Sequence, residues 1–141
     1  MFKDLQLKWT NHPENKYSGR QYLDFIIAGQ SLRDYLGIEN KTSVTPFGFF
    51  SNKKEEKRAL GEFRFQQKTQ LSDDRIELYV CENCGDLACG AITAKIIERG
   101  DRIVWTEFAN QSDQEEISEP FDIEEIEFTR ENYFNAFSKF D

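Results

Sequence analysis

Two apolar runs of matching length, Ala91-Ile-Thr-Ala-Lys-Ile-Ile97 and Arg102-Ile-Val-Trp-Thr-Glu-Phe108, flank the short polar link Glu98-Arg-Gly-Asp101. β-Branched and aromatic residues on both sides of a Gly-Asp pair predict an antiparallel hairpin. That hairpin commits the chain to a sheet with antiparallel pairing. Residues 75–80 read as a further strand, with Ile76, Leu78 and Val80 on one face. Between this strand and the hairpin runs Tyr79-Val-Cys-Glu-Asn-Cys-Gly-Asp-Leu-Ala-Cys-Gly-Ala-Ile-Thr93, which holds all three cysteines.

The remaining segments fit around that frame. Leu5, Leu7 and Trp9 alternate with Gln6 and Lys8, the period of a half-buried strand. Residues 11–19 are rich in turn formers, and residues 22–28 predict a second strand with Leu23, Phe25 and Ile27 on one face. Ser31 is placed to cap a short helix that Gly37 would stop. Val44-Thr-Pro-Phe-Gly-Phe-Phe50 reads as an aromatic loop folded back onto the core, the alternative being an exposed apolar patch that meets a partner. Asn52-Lys-Lys-Glu55 has the form of a capping box opening a helix, which Gly61 would weaken or end, and Phe63 and Phe65 alternate after it.

Residues 110–120 read as a polar loop. Residues 121–128 predict an edge strand with one irregularity at Glu124-Glu125. Thr129 then caps a terminal helix bearing Tyr133, Phe134, Phe137 and Phe140 on one side, with Phe128 and Tyr133 as a hydrophobic staple. The expected architecture is α+β: one domain over residues 1–141, a mostly antiparallel sheet of about five or six strands, and two or three helices including a C-terminal one.

A chain of 141 residues can build a core without staples. Only 38% of residues are apolar and the mean hydropathy is −0.70, so thirteen phenylalanines must supply much of that core. No apolar run approaches the roughly 18 residues of a membrane span. The start of the chain lacks a signal-peptide pattern, and with an odd cysteine count this points to a reducing cytoplasm. The formal charge of −8 argues against non-specific nucleic-acid binding and against an anionic membrane surface.

Cys81-x2-Cys84-x4-Cys89 is the one cluster with metal-ligand spacing. Two thiolates two residues apart can grip zinc from a tight turn, and Cys89 supplies a third. A closed site needs a fourth ligand, which would have to be Asp86 or the sole histidine, His12. The same pair has the spacing of a redox dithiol, although Glu82 and Asp86 would oppose thiolate formation. The plainest reading is three small thiols filling a turn. His12, in a polar loop, reads as a surface residue. Residues 113–127 hold eight carboxylates and no Lys or Arg. They read either as a solvated sheet edge or as a docking surface for a cationic partner, carried by Asp113, Glu115, Glu116, Glu119, Asp122 and Glu124.

The stretch from Tyr79 to Thr93, together with Tyr22-Leu-Asp24, Ser31-Leu-Arg33, Val44-Thr-Pro-Phe-Gly48, Val104-Trp105 and Phe128-x-Arg130-x-x-Tyr133, resembles a group of small bacterial proteins. Some of these carry an oxidoreductase label without an established activity. The resemblance implies a bacterial cytosolic domain and carries over no catalytic residue. From the residues themselves, the expectation is a small acidic protein-binding protein, with an immunity protein against a basic toxin as one form. The alternative is a thiol- or metal-dependent enzyme centred on Cys81, Cys84 and Cys89, with zinc as the metal.

Overall fold

Strand β1 (Leu5–Asn11) pairs antiparallel with β2 (Gln21–Ile27), Leu7 lying opposite Phe25, and β2 pairs in turn with the short β3 (Gln30–Ser31). The computed structural model describes residues 2–12, 20–38, 43–49, 53–81, 90–111 and 119–140. A second sheet runs in the order β4 (Ser43–Val44), β5 (Arg75–Cys81), β6 (Ala91–Arg99), β7 (Arg102–Gln111), β8 (Glu119–Pro120), with β9 (Ile126–Thr129) also on β7. The protein is α+β with antiparallel pairing throughout both sheets, plus helices α1 (Leu32–Leu36), α2 (Lys53–Phe63) and α3 (Arg130–Ala136). The α+β class and the antiparallel pairing are as the sequence predicts, but the strands fall into two sheets rather than one: β1 and β2 form the three-stranded sheet with β3, and the short β4 and β8 extend the other.

The hairpin forms as expected. Arg99 pairs with Arg102, so Gly100 and Asp101 are the whole turn, with Gly100 at φ +62°. Both capped helices also match. Ser31 Oγ accepts from Arg33 N, and Gly37, at φ +67°, closes α1 through hydrogen bonds to the carbonyls of Arg33 and Asp34. Thr129 Oγ1 accepts from Asn132 N at 3.1 Å, and the Phe128 and Tyr133 rings staple the entry to α3 at 6.0 Å.

Several details differ from the expectation. Helix α2 continues through Gly61 to Phe63, because Phe63 is fully buried against Phe25 and Trp105. Phe63 therefore ends a helix rather than opening an extended segment. The edge strand expected over 121–128 is split. β8 pairs through Asn110–Glu119 and β9 through Trp105–Ile126, which leaves residues 121–125 opposite only residues 106–108. Two surplus residues are accommodated there, more than a single bulge requires. The polar loop expected over 110–120 is narrower, since β7 runs to Gln111 and β8 begins at Glu119.

One apolar cluster joins both sheets and all three helices. Phe25 on β2 sits at its centre, with ring centroids 5.3 Å from Trp105, 5.6 Å from Phe63, 5.9 Å from Tyr79 and 6.2 Å from Phe47. Phe47 and Phe49 are buried, so the aromatic loop packs inward. The two sheets are also stitched by backbone. Leu23 N donates to Phe47 O at 2.9 Å on one side, and Lys3 N donates to Glu127 O at 2.8 Å on the other. Among the described residues, no helix is long and apolar enough to cross a membrane.

Candidate functional site

Strand β2 is buried on both faces, so a carboxylate there must find donors. Asp24 finds three. Its Oδ1 accepts from the Tyr79 phenol at 2.5 Å and from Phe25 N at 2.8 Å, and its Oδ2 accepts from Ser31 Oγ at 2.7 Å. Arg33, in the first turn of α1, donates through Nε to the Tyr22 phenol at 3.0 Å and through a terminal nitrogen to the Ser43 carbonyl. Its guanidinium lies 4.7 Å from the Tyr79 ring centroid. Burial, reinforced by the neighbouring Asp24 charge, pushes the Tyr79 phenol well above its usual range. Tyr79 therefore stays protonated and donates. Tyr22, Asp24, Ser31, Arg33 and Tyr79, five positions from three separate sequence stretches, converge here. The cue in the sequence was an acidic residue inside an otherwise apolar strand.

Cys81 ends β5 at the rim of this cluster. It is half-buried and pairs with Ser43, whose hydroxyl is buried and has no hydrogen-bond partner among the described residues. Cys84 and Cys89 lie outside the described residues. Among those described, no group of three or more His, Cys, Asp or Glu side chains is placed to hold a metal ion. His12 corrects the expectation of a surface residue. It is 3% exposed, with its imidazole 5.5 Å from the Phe49 ring, so the end of β1 sets it against the aromatic segment.

A second buried polar cluster holds α2 to the sheet. Arg58 contacts Glu62 at 2.8 Å, Glu55 at 3.0 Å and Glu77 of β5 at 3.6 Å. Burial raises the Glu62 carboxyl even though Arg58 and the Gln70 amide oppose it. Glu62 and Glu77 are 3% and 5% exposed, so the pair is closed to a substrate and acts as an internal tie. Arg75 is likewise buried, donating to Thr93 Oγ1 at 3.0 Å, while Thr93 donates to Gln111 Oε1 at 2.8 Å.

The described part of the acidic tract, residues 119–127, runs along the outer margin of the six-stranded sheet. Three carboxylates there or nearby are matched by arginines: Glu125 by Arg99, Glu127 by Arg102 and Glu98 by Arg130. Asp122 and Glu124 are exposed and form no ion pair among the described residues. They sit on the surplus segment 121–125, which is anchored at one end by Phe121 N donating to Phe108 O at 2.8 Å and at the other by the Trp105–Ile126 pair. Glu119 starts β8, and Asp113, Glu115 and Glu116 lie outside the described residues. Comparison of the chain with protein-family models, curated proteins and solved structures found no match.

Proposed function

We propose that this is a protein-binding protein whose acidic sheet margin, Glu119, Asp122 and Glu124 with the adjoining Asp113, Glu115 and Glu116, docks a cationic protein partner. The observation that carries this reading is the anchored segment 121–125. It presents Asp122 and Glu124 to solvent without arginine partners while neighbouring carboxylates are neutralised. Fixed, unneutralised charge on a rigid edge is what speeds encounter with an oppositely charged surface. An immunity protein that masks a basic toxin is the specific form this chemistry suits.

The test is retention of a native-host protein on immobilised wild type and on a Glu119→Lys, Asp122→Lys, Glu124→Lys triple variant. The partner is expected to be basic, and to be held at about 50 mM salt but released near 300 mM. The triple variant should lose it. Equal retention by the variant overturns this surface.

A second reading rests on Cys81, which pairs with Ser43, a residue whose hydroxyl has no partner among the described residues, at the rim of the Asp24–Arg33 cluster. In that reading Cys81, Cys84 and Cys89 carry thiol or zinc chemistry. Elemental analysis and thiol titration of the purified protein decide it. Three freely titrating thiols without stoichiometric metal, and full function in the triple Cys→Ser variant, remove it.

A further inference from the structure

The outer edge of β1 changes character along its length. Ala28 N donates to Asp4 O and His12 N donates to Arg20 O, each at 2.8 Å, which fixes the parity of the β1–β2 ladder. Residues 4, 6, 8, 10 and 12 bond to β2, so the backbone groups of residues 3, 5, 7, 9 and 11 point away from it. Lys3 N is taken by Glu127 O of β9. Leu5 is met by the side-chain amide of Asn132, which accepts from Leu5 N at 2.8 Å and donates to Leu5 O at 3.2 Å, as a paired strand would. Leu7 O is covered by Lys139 Nζ. Beyond that point no hydrogen bond joins β1 to β9 or α3 among the described residues. The N–H groups of Leu7, Trp9 and Asn11, and the carbonyls of Trp9 and Asn11, have no partner among the described residues. A groove of about 490 Å³ between β1 and α3 leads to this edge. At its centre stands Trp9, 57% exposed, one of the two large apolar side chains exposed among the described residues.

An open row of strand donors and acceptors beside an exposed indole fits another extended strand. We infer that the occupant is a second copy of this chain, with β1 pairing antiparallel to the partner's β1 about a two-fold axis through Trp9. Three observations favour a copy over a foreign strand. The open window, Leu7 to Asn11, maps onto itself when reversed about Trp9. The Leu7 and Trp9 N–H groups meet the partner's open Asn11 and Trp9 carbonyls, and Asn11 N meets the second lone pair of the partner's Leu7 carbonyl, which it shares with Lys139. Residues 5–12 contain no carboxylate and one formal charge, Lys8, which in this register faces the partner's Thr10 rather than a like charge. The net −8 is thus kept off the contact. The rest of the edge is already covered by Asn132 and Lys139, so the contact closes as a dimer instead of propagating. The acidic margin of the other sheet takes no part in it.

Sedimentation velocity between about 5 and 500 µM tests the proposal by mass action. The expected result is a mass rising from 16.6 kDa to twice that value. Trp9→Lys, which sets two ammonium groups opposite each other, should remain at the single mass with an unchanged circular dichroism spectrum, and Trp9→Phe should still associate. Amide exchange supplies a readout that does not rely on substitution. Leu7, Trp9 and Asn11 should gain protection with concentration, while Gln6 and Lys8, already bonded to β2, should not change. A wild type of constant mass, a Trp9→Lys variant that dimerises like wild type, or concentration-independent exchange at those three amides would each overturn the dimer.

Discussion

The Tyr79 phenol on β5 donates to the Asp24 carboxylate on β2 across 2.5 Å, a buried side-chain link between the two sheets. Asp24 holds three donors and is 2% exposed, so removing one leaves a buried acceptor underused rather than a vacancy that water can fill. Tyr79→Phe is expected to cost about 1–3 kcal/mol of unfolding free energy, as a hydrogen bond to a charged group does. Ser31→Ala should cost less by itself. In a double-mutant cycle the two should couple, because both serve one carboxylate. Urea denaturation of the four proteins measures it.

Alkaline pH should unfold the protein sharply. Burial raises the phenols of Tyr22, Tyr79 and Tyr133 above the ordinary value of 10.0. Their contribution to stability is complete below that value. Above it the unfolded chain loses these protons while the folded chain keeps them, so stability falls by up to about 1.4 kcal/mol per pH unit for each of the fully buried Tyr79 and Tyr133 phenols, with Tyr22 acting in the same direction. Thermal melts from about pH 9 to pH 11.5 should show the decline. Tyr79→Phe and Tyr133→Phe should each flatten its slope by one phenol's share.

Gly48 separates backbone strain from steric contact. At φ +85° it adopts a left-handed conformation, and a Cβ there would lie 2.7 Å from Trp9 Cζ3. Gly29, at φ +83°, has open space around it. Gly29→Ala should therefore cost only the strain of a left-handed alanine, roughly 1 kcal/mol. Gly48→Ala should cost that and about 1–3 kcal/mol more. Combining it with Trp9→Ala should recover the excess but not the strain.

Asn132→Asp tests the side-chain amide that stands in for a strand. The amide nitrogen donates to Asp4 Oδ1 at 3.0 Å, so an aspartate would place two carboxylates together and strand the Leu5 carbonyl. A loss of about 1–3 kcal/mol is expected at neutral pH. Stability relative to wild type should recover below about pH 4 as one carboxylate takes up a proton. Asn132→Ala lacks that recovery.

The local signals in the sequence were read well where one short motif determines the outcome. Gly100-Asp101, the Ser31 and Gly37 caps, and the Phe128–Tyr133 staple act within a few residues and needed no tertiary information. What escaped was set by distance. Leu5, Leu7 and Trp9 share one alternating face, yet Leu5 and Leu7 are buried and Trp9 is 57% exposed, a difference that alternation does not show. Gly61 reads as a helix stop, but the burial of Phe63 carries α2 through it. Nothing near His12 in sequence announces Phe49, and nothing near Asp24 announces Tyr79, 55 residues away. The acidic margin was visible as composition, whereas its division into neutralised and free carboxylates depends on arginines from β6, β7 and α3.

Asn132 reaches back 127 residues to Leu5, and Lys139 reaches back 132 residues to Leu7. On the ribosome, β1 must therefore wait for α3 and Lys139 to be made before its flank is shielded. Closure of this fold is a late event with a large entropic hurdle, and speed would have to come from the β6–β7 hairpin rather than from the amino terminus. Nascent chains stalled before residue 132 should be the form most in need of a chaperone.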